Sequence, residues 1–256
     1  MILAIDIGNT IIVIGCIEED EISHVIRISA NITKTADEYA SQIKSILNFH
    51  AVDTSKIHGA VISCVVPPLT QVLKNAVKLL TGTDATIVGA GIKTGMNILI
   101  DDPAQLGADM VATAVGALAF YEPPIIVADM GTATKMYVIN KSGSFIGGAI
   151  APGISLSMNA LAAGTSQLPR VPIEAPEKCI SANTIDCMKS GAIFGAASMI
   201  DGMTSRFEAE LGERAQIIAT GGLAEPVIPH CEREVTYDPH LALRGLKIIY
   251  EKNRRK

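Results

Sequence analysis

Ile2-Leu-Ala-Ile-Asp-Ile-Gly-Asn-Thr10 reads as an interior strand that runs into an Asp-x-Gly turn, and Ile11 to Ile17 resumes the same Ile- and Val-rich pattern. Two buried strands joined by a tight turn account for it. Val127-Ala-Asp-Met-Gly-Thr132 repeats the order of Ala4-Ile-Asp-Ile-Gly-Asn9 at a spacing of 123 residues, about half the chain. Each copy is a strand, an Asp-x-Gly-polar turn and a second apolar strand. A duplicated βββαβ lobe is the economical explanation.

Working outward, Ile22 to Ile28 reads as a third strand. Thr35-Ala-Asp-Glu38 is a capping box, and apolar residues recur at helical spacing through Leu47. Ala60 to Val66 is a buried strand. Pro67-Pro68 opens a helix that ends near Gly82, and Ala85 to Val88 is a short strand. Residues 89 to 105 are loop-like, and Leu106 to Tyr121 is a small-residue helix suited to burial between two layers. After Pro123-Pro124 the pattern restarts at Ile125, and Ser144 to Ala151 is the third strand of the second copy. Pro152 to Pro176 reads as a polar loop region punctuated by Gly and Pro. A long helix follows from Thr184 to Leu211, then a strand at Gln216 to Ala219 ending in Thr220-Gly221-Gly222, then a helix from Leu241 to Lys252. The fold class is α/β, with lobes at residues 1–121 and 122–256 and a last helix able to pack back on the first lobe.

The chain has 256 residues, 48% apolar and 18% charged, which excludes wholesale disorder and fits two lobes. Lys plus Arg is 21 against 26 Asp plus Glu, a formal charge of −5, so neither nucleic acid nor an anionic membrane is expected as a partner. The one sequence-local basic patch, Lys252 to Lys256, reads as a solvated helix end. The five cysteines are widely spaced and form no C-x-x-C, so neither a zinc cluster nor a disulfide scaffold is expected, and a reducing compartment is. The opening MILAIDIGNT has no basic n-region, and no apolar run reaches membrane-spanning length. A cytoplasmic protein is the expectation.

Two Asp-x-Gly turns point to phosphate. Gly8 allows close backbone approach, and neighbouring N–H groups can bind phosphate oxygens. Asn9, Thr10 and Thr132 add neutral donors, while Asp6 and Asp129 suit cations that offset phosphate charge. A Gly-Gly turn at Gly221-Gly222 could sit under an adenine base. Other nucleotide motifs are missing: there is no G-x-x-x-x-G-K-[ST], and Gly89 to Gly95 has the wrong spacing for a dinucleotide loop. Asp109, in Leu106-Gly-Ala-Asp-Met110, opens an otherwise apolar helix. It could accept a proton from a substrate hydroxyl, or simply favour the helix dipole; pattern alone leaves both open.

This set of motifs resembles type III pantothenate kinase, in the superfamily of acetate kinases, sugar kinases and actin. The resemblance spans nearly the whole chain. It rests on Asp6-Ile-Gly-Asn-Thr10, Ile62-Ser-Cys-Val-Val-Pro-Pro68, Leu106-Gly-Ala-Asp109, Asp129-Met-Gly-Thr-Ala-Thr134, Gly147-Gly-Ala-Ile-Ala-Pro-Gly153, Leu168-Pro-Arg-Val171, Asn183-Thr184 and Thr220-Gly-Gly222. It implies two duplicated actin-like, ribonuclease H-like lobes, mixed sheets flanked by helices, and an ATP cleft between lobes. It also implies ATP-dependent phosphorylation of pantothenate, the first step of coenzyme A synthesis, by a homodimer. The cofactors implied are ATP, Mg2+ or another divalent ion, and a monovalent cation, K+ or NH4+. Carried over by position, Asp6, Ile7, Gly8, Asn9, Thr10, Ile11, Ile12 and Val13 hold ATP phosphates, with Asp6 near the divalent ion. Thr132, Gly221 and Gly222 also contact ATP. Asp109 is the proton acceptor, and Ile100, Gly107, Ala108, Met110 and Thr184 join it at the substrate. Asp129 holds the monovalent cation.

The chain departs from the family at several of these positions. Met110 stands where the family has an arginine suited to the substrate carboxylate, Thr113 replaces an asparagine, and Ile100 replaces a pocket tyrosine. The second turn reads Thr132-Ala-Thr-Lys-Met-Tyr137 where the family tends to read Thr-Ala-Thr-Thr-Phe-Asp. Lys135 therefore adds a positive charge beside the cation motif. Two alternatives follow: a kinase for another small alcohol, or a non-catalytic nucleotide-binding regulator.

Overall fold

A computed structural model describes residues 1–254. It divides into two compact units. Unit 1 comprises Met1–Met96, Asp101–Ala119 and the segment from Leu241 onward; unit 2 comprises Asn97–Ile100 and Phe120–His240. The end of the basic tail, residues 255 and 256, lies outside the described residues.

Unit 1 is built on a sheet of order β3-β2-β1-β4-β5, with strands β1 (Ile2–Ile7), β2 (Ile11–Glu18), β3 (Glu21–Ser29), β4 (Gly59–Cys64) and β5 (Ala85–Ile87). β2 runs antiparallel to both β1 and β3, and β4 and β5 run parallel to β1. Both faces of β1 are covered, which is why it reads as a continuous apolar run. Leu3, Ile5 and Ile7 face α1 (Ala36–Phe49) and α2 (Pro67–Thr81), packing with Tyr39, Ile43, Leu47, Leu69 and Leu73. The helix boundaries follow local chemistry. The Thr35 hydroxyl accepts from the Glu38 N–H, and the Glu38 carboxylate accepts from the Thr35 N–H at 2.7 Å. α2 starts at Pro67-Pro68 and stops at Gly82, φ 71°.

The opposite face carries Ala4 and Asp6, aligned with Gly15 and Val13 on β2 and with Val61 and Ser63 on β4. α6 (Leu241–Asn253) lies against this sheet. It also crosses α3 (Ala108–Phe120) with almost no space between backbones. A Cβ on Gly116 would overlap the Leu241 carbonyl, and one on Gly245 would overlap the Ala112 carbonyl. The end of α6 clamps the preceding loop, since Asn253 donates to the Lys93 carbonyl at 2.8 Å and accepts from its N–H at 3.1 Å.

Unit 2 repeats the plan. Its sheet has the order β8-β7-β6-β9-β10, from β6 (Ile125–Met130), β7 (Ala133–Ile139), β8 (Phe145–Pro152), β9 (Gln216–Thr220) and β10 (Thr236–Tyr237). Ile126, Ala128 and Met130 face α5 (Thr184–Leu211), against Ile193, Ala197 and Ile200. The α/β fold class is as expected: two mixed five-stranded sheets flanked by helices.

Two readings need correction. Residues 152–176 are not all loop, because α4 (Ile154–Gly164) forms inside them. Its breakers, Gly153 and Gly164, sit only at its ends, while Ile154, Met158 and Leu161 make a stripe at helical spacing. Strand β10 was not anticipated; two residues are too few to show a period. No helix among the described residues is long and apolar enough to cross a membrane.

Candidate active site

In unit 1 the Asp-x-Gly turn caps the C-terminal end of β1. The Gly8 N–H donates to the Ile11 carbonyl at 3.0 Å, closing the turn and leaving Asn9 and Thr10 exposed at its tip. Asp6 and Val13 are partly buried. Ile7 and Ile12 are wholly buried, with side chains in the core against α1 and α2, so toward a ligand they can offer only main chain; Ile11 is exposed.

The segment that leads into Asp109 lies near the same end of the sheet. The Val65 N–H donates to the Ile7 carbonyl at 3.1 Å, so the chain leaving β4 crosses the end of β1. A Cβ on Gly107 would stand 3.8 Å from a Val65 methyl and 2.6 Å from Asp109 Oδ1. Gly107, just before α3, therefore lies beside the chain that crosses the end of the strand carrying Asp6. The Met110 N–H donates to Asp109 Oδ1 at 2.7 Å, which fixes the carboxylate over the first turn of its helix. Thr113 is 2% exposed and donates its hydroxyl to the Asp109 carbonyl at 2.7 Å, so that donor serves the helix itself.

In unit 2 the corresponding turn is one residue shorter. Ile7 aligns with Ile12 across the first turn, whereas Met130 aligns with Thr134 across the second. The Gly131 N–H donates to the Ala133 carbonyl at 3.1 Å, and the Thr132 carbonyl accepts from Gly153 at 3.1 Å, tying the turn to the start of α4. Gly221, at φ 91°, lies on the end of β6: a Cβ there would come 2.5 Å from the Met130 carbonyl oxygen, and Leu223 donates to that oxygen at 3.2 Å. Thr132, Gly221 and Gly222 thus gather around the strand end that bears Asp129. Lys135 and Thr220 flank Asp129 in register on β7 and β9. The Lys135 ammonium is 2.6 Å from Asp129 Oδ2, and both side chains are mostly buried. Tyr137, on the same face, is fully buried and packs on Phe145 with ring centroids 5.3 Å apart.

Ile100 lies in unit 2, just after a segment that extends the β8 edge, where Leu99 donates to the Phe145 carbonyl at 2.8 Å. Thr184 is the exposed first residue of α5, behind the cap formed by Asn183, whose side chain accepts from the Asp186 N–H at 3.0 Å. It lines a cavity of about 980 Å³ between α4 and α5, walled by Ile154, Met158, Leu161, Leu168 and Met188. That cavity lies on the opposite face of the unit 2 sheet from Asp129 and Lys135. Sequence reasoning missed the cavity with α4, and it quoted Thr220 and Ser63 only within motifs; their places beside the two turn aspartates come from cross-strand register.

Among the described residues no three His, Cys, Asp or Glu side chains converge as a metal cage. A divalent ion that shares one carboxylate with nucleotide phosphates needs no such cage, and Asp6 at the turn fits that arrangement. The monovalent cation is a different matter, because the Asp129 carboxylate is already engaged by an ammonium.

A family model described as type III pantothenate kinase matches residues 2–206. A type III pantothenate kinase of Moorella thermoacetica is 40% identical over 253 residues, covering 99% of this chain and all of the relative. One from a Geobacillus strain is 42% identical over 253 residues, 99% of this chain and 98% of the relative. Among solved structures, the (R)-2-hydroxyglutaryl-CoA dehydratase component A of Acidaminococcus fermentans superposes with a TM-score of 0.57 at 13% identity, over 98% of each chain. The ethanolamine utilization protein EutJ of Carboxydothermus hydrogenoformans does so at 0.54 and 16%, over 96% of this chain and 89% of that one. These two likenesses establish the fold alone. The full-length matches, over the Asp6 turn, the Asp109 helix and the Asp129 turn, establish that this chain belongs to the type III pantothenate kinase family.

Proposed function

We propose that the protein transfers the γ-phosphoryl group of ATP to the primary hydroxyl of pantothenate, giving 4'-phosphopantothenate for coenzyme A synthesis. The observation that carries this reading is that Gly107, two residues before Asp109, lies beside Val65, which is bonded to the end of the strand bearing the Asp6–Thr10 turn, in a chain of this family. Asp109 accepts the hydroxyl proton as the substrate oxygen attacks the γ-phosphorus and the bond to the ADP oxygen breaks. The main chain from Asp6 to Val13, with Asn9 and Thr10 at the tip, faces the phosphates. In unit 2, Thr132 and the Gly221-Gly222 turn face the nucleotide. Asp6 would help hold a divalent ion, which when bound would neutralise phosphate charge.

Gly107, Ala108, Met110 and Ile100 are the substrate-facing set, and Thr184, in the α4–α5 cavity, would reach the substrate from near a dimer interface. Met110 offers no charge to a carboxylate, and that observation favours the second reading, a kinase for a small alcohol lacking one. A cytoplasmic setting agrees with the use of ATP. A homodimer is supported by exposed Leu161 in the α4–α5 groove and by exposed Leu156, Ile180 and Ile185 on or next to α4 and α5; sedimentation of the purified chain tests it, and a monomer at all concentrations would sink it.

ADP release with ATP, Mg2+ and pantothenate is the direct test. Turnover lowered by about 10²- to 10⁴-fold in Asp109→Asn is expected. ATP binding without turnover on pantothenate or on other small alcohols would leave the non-catalytic regulator as the better reading.

A further inference from the structure

Resting on that reading, we infer that the Lys135 ammonium occupies the place of the monovalent cation at Asp129, so that phosphoryl transfer by this chain needs no potassium or ammonium ion. Asp129 and Lys135 are directly opposed across β6 and β7, which puts both side chains on one face of the sheet. Nζ lies 2.6 Å from Asp129 Oδ2, with side-chain exposures of 15% and 14%. A potassium ion needs oxygen ligands. The ammonium offers three donors and no acceptor, and it repels a second cation at the same carboxylate. A mostly buried carboxylate needs a counter-charge, and here the chain supplies it covalently tethered.

The fold does not require a lysine at this position. In the sister sheet Asp6 is opposed by Val13, at the register place that Lys135 fills beside Asp129. Lys135 also neighbours the Thr132 turn, so its charge sits where the nucleotide-facing donors of unit 2 gather.

The test compares potassium with tetramethylammonium chloride at matched ionic strength, reading ATP affinity and the thermal unfolding midpoint as well as turnover. For the natural chain all three should be the same in both salts. In Lys135→Thr, ATP affinity without potassium should fall by about tenfold or more and recover when potassium is added. Potassium should also raise the unfolding midpoint of that variant alone, as binding to the folded state requires. Lys135→Arg keeps the charge and should remain indifferent to the salt, which preserves the test if the threonine variant folds poorly. Potassium-stimulated binding or turnover in the natural chain would overturn the inference, as would a Lys135→Thr protein that binds ATP equally well in both salts. ATP binding and unfolding decide the matter even if pantothenate is not the substrate, so failure of that reading stays distinguishable.

Discussion

Asp109 Oδ1 accepts the main-chain N–H of Met110 at 2.7 Å, so the carboxylate is held by the residue at which the resemblance to the family implies an arginine. On the Met110 side the bond uses backbone only and survives any change of that side chain. The proposed general base, Asp109, and the proposed substrate-holding position, 110, can therefore be altered separately.

Asp109→Asn keeps the size and an acceptor oxygen for the Met110 N–H but removes the basic carboxylate. Loss of a positioned general base lowers turnover by about 10²- to 10⁴-fold. ATP affinity should stay unchanged, because the Asp6 turn is untouched. Single-turnover ADP release and nucleotide titration measure the two quantities; equal loss in both would mean that Asp109 is structural.

Met110→Arg restores a charge-assisted partner for a carboxylate. Such a partner is worth about 2–5 kcal/mol, roughly 30- to 5,000-fold in binding. The KM for pantothenate should fall, while that for a carboxylate-free analogue should not. Equal changes for both would show that position 110 does not read the carboxylate.

Gly245→Ala places a methyl group into the Ala112 carbonyl at the crossing of α6 and α3. Backbone cannot yield as a flexible side chain can, so a loss of about 3 kcal/mol or more is expected, at the upper end of overpacking costs. Denaturant unfolding checks it. A loss below about 1 kcal/mol would mean that the two helices separate easily.

Glu208, on α5, accepts from the Arg233 guanidinium at 2.7 Å and from the Ala215 N–H at 3.1 Å, with Arg214 3.4 Å away. Partial burial pushes its pKa up, but the hydrogen bonds from Arg233 and Ala215 and the two arginine charges outweigh this and hold it below the ordinary 4.5. The folded value lies under the unfolded one, so this stabilisation is complete above about 4.5 and is lost as pH falls through the lowered value. The stability gap between the natural chain and Glu208→Gln should therefore narrow as pH drops below 4.5. A gap that stays constant in urea titrations across that range would refute the assignment.

Much of the architecture was legible because it is local. The capping box at Thr35, the Pro67-Pro68 helix start, the left-handed Gly82 and both Asp-x-Gly turns act within a few residues of themselves. α4 was hidden because Gly153 and Gly164 outweighed a three-residue stripe, and β10 because it is too short to carry a pattern. The candidate site was readable as residue types at strand ends, since an aspartate followed by glycine has the same chemistry before and after folding.

What the sequence by itself determined is which residues could act: Asp6, Asp109 and Asp129 as carboxylates, Met110 as a missing charge, Lys135 as an added one. Their partners were a tertiary decision. Whether Lys135 would meet Asp129 or solvent turned on the register of β6 against β7, in which a slip of one residue sends a side chain to the opposite face. Whether α6 would rest on β1 and cross α3 depended on glycines far apart in the chain, Gly116 and Gly245, coming together where neither could hold a side chain. Contacts of that kind exist only after the chain has closed on itself, so no reading of neighbours along the sequence could supply them.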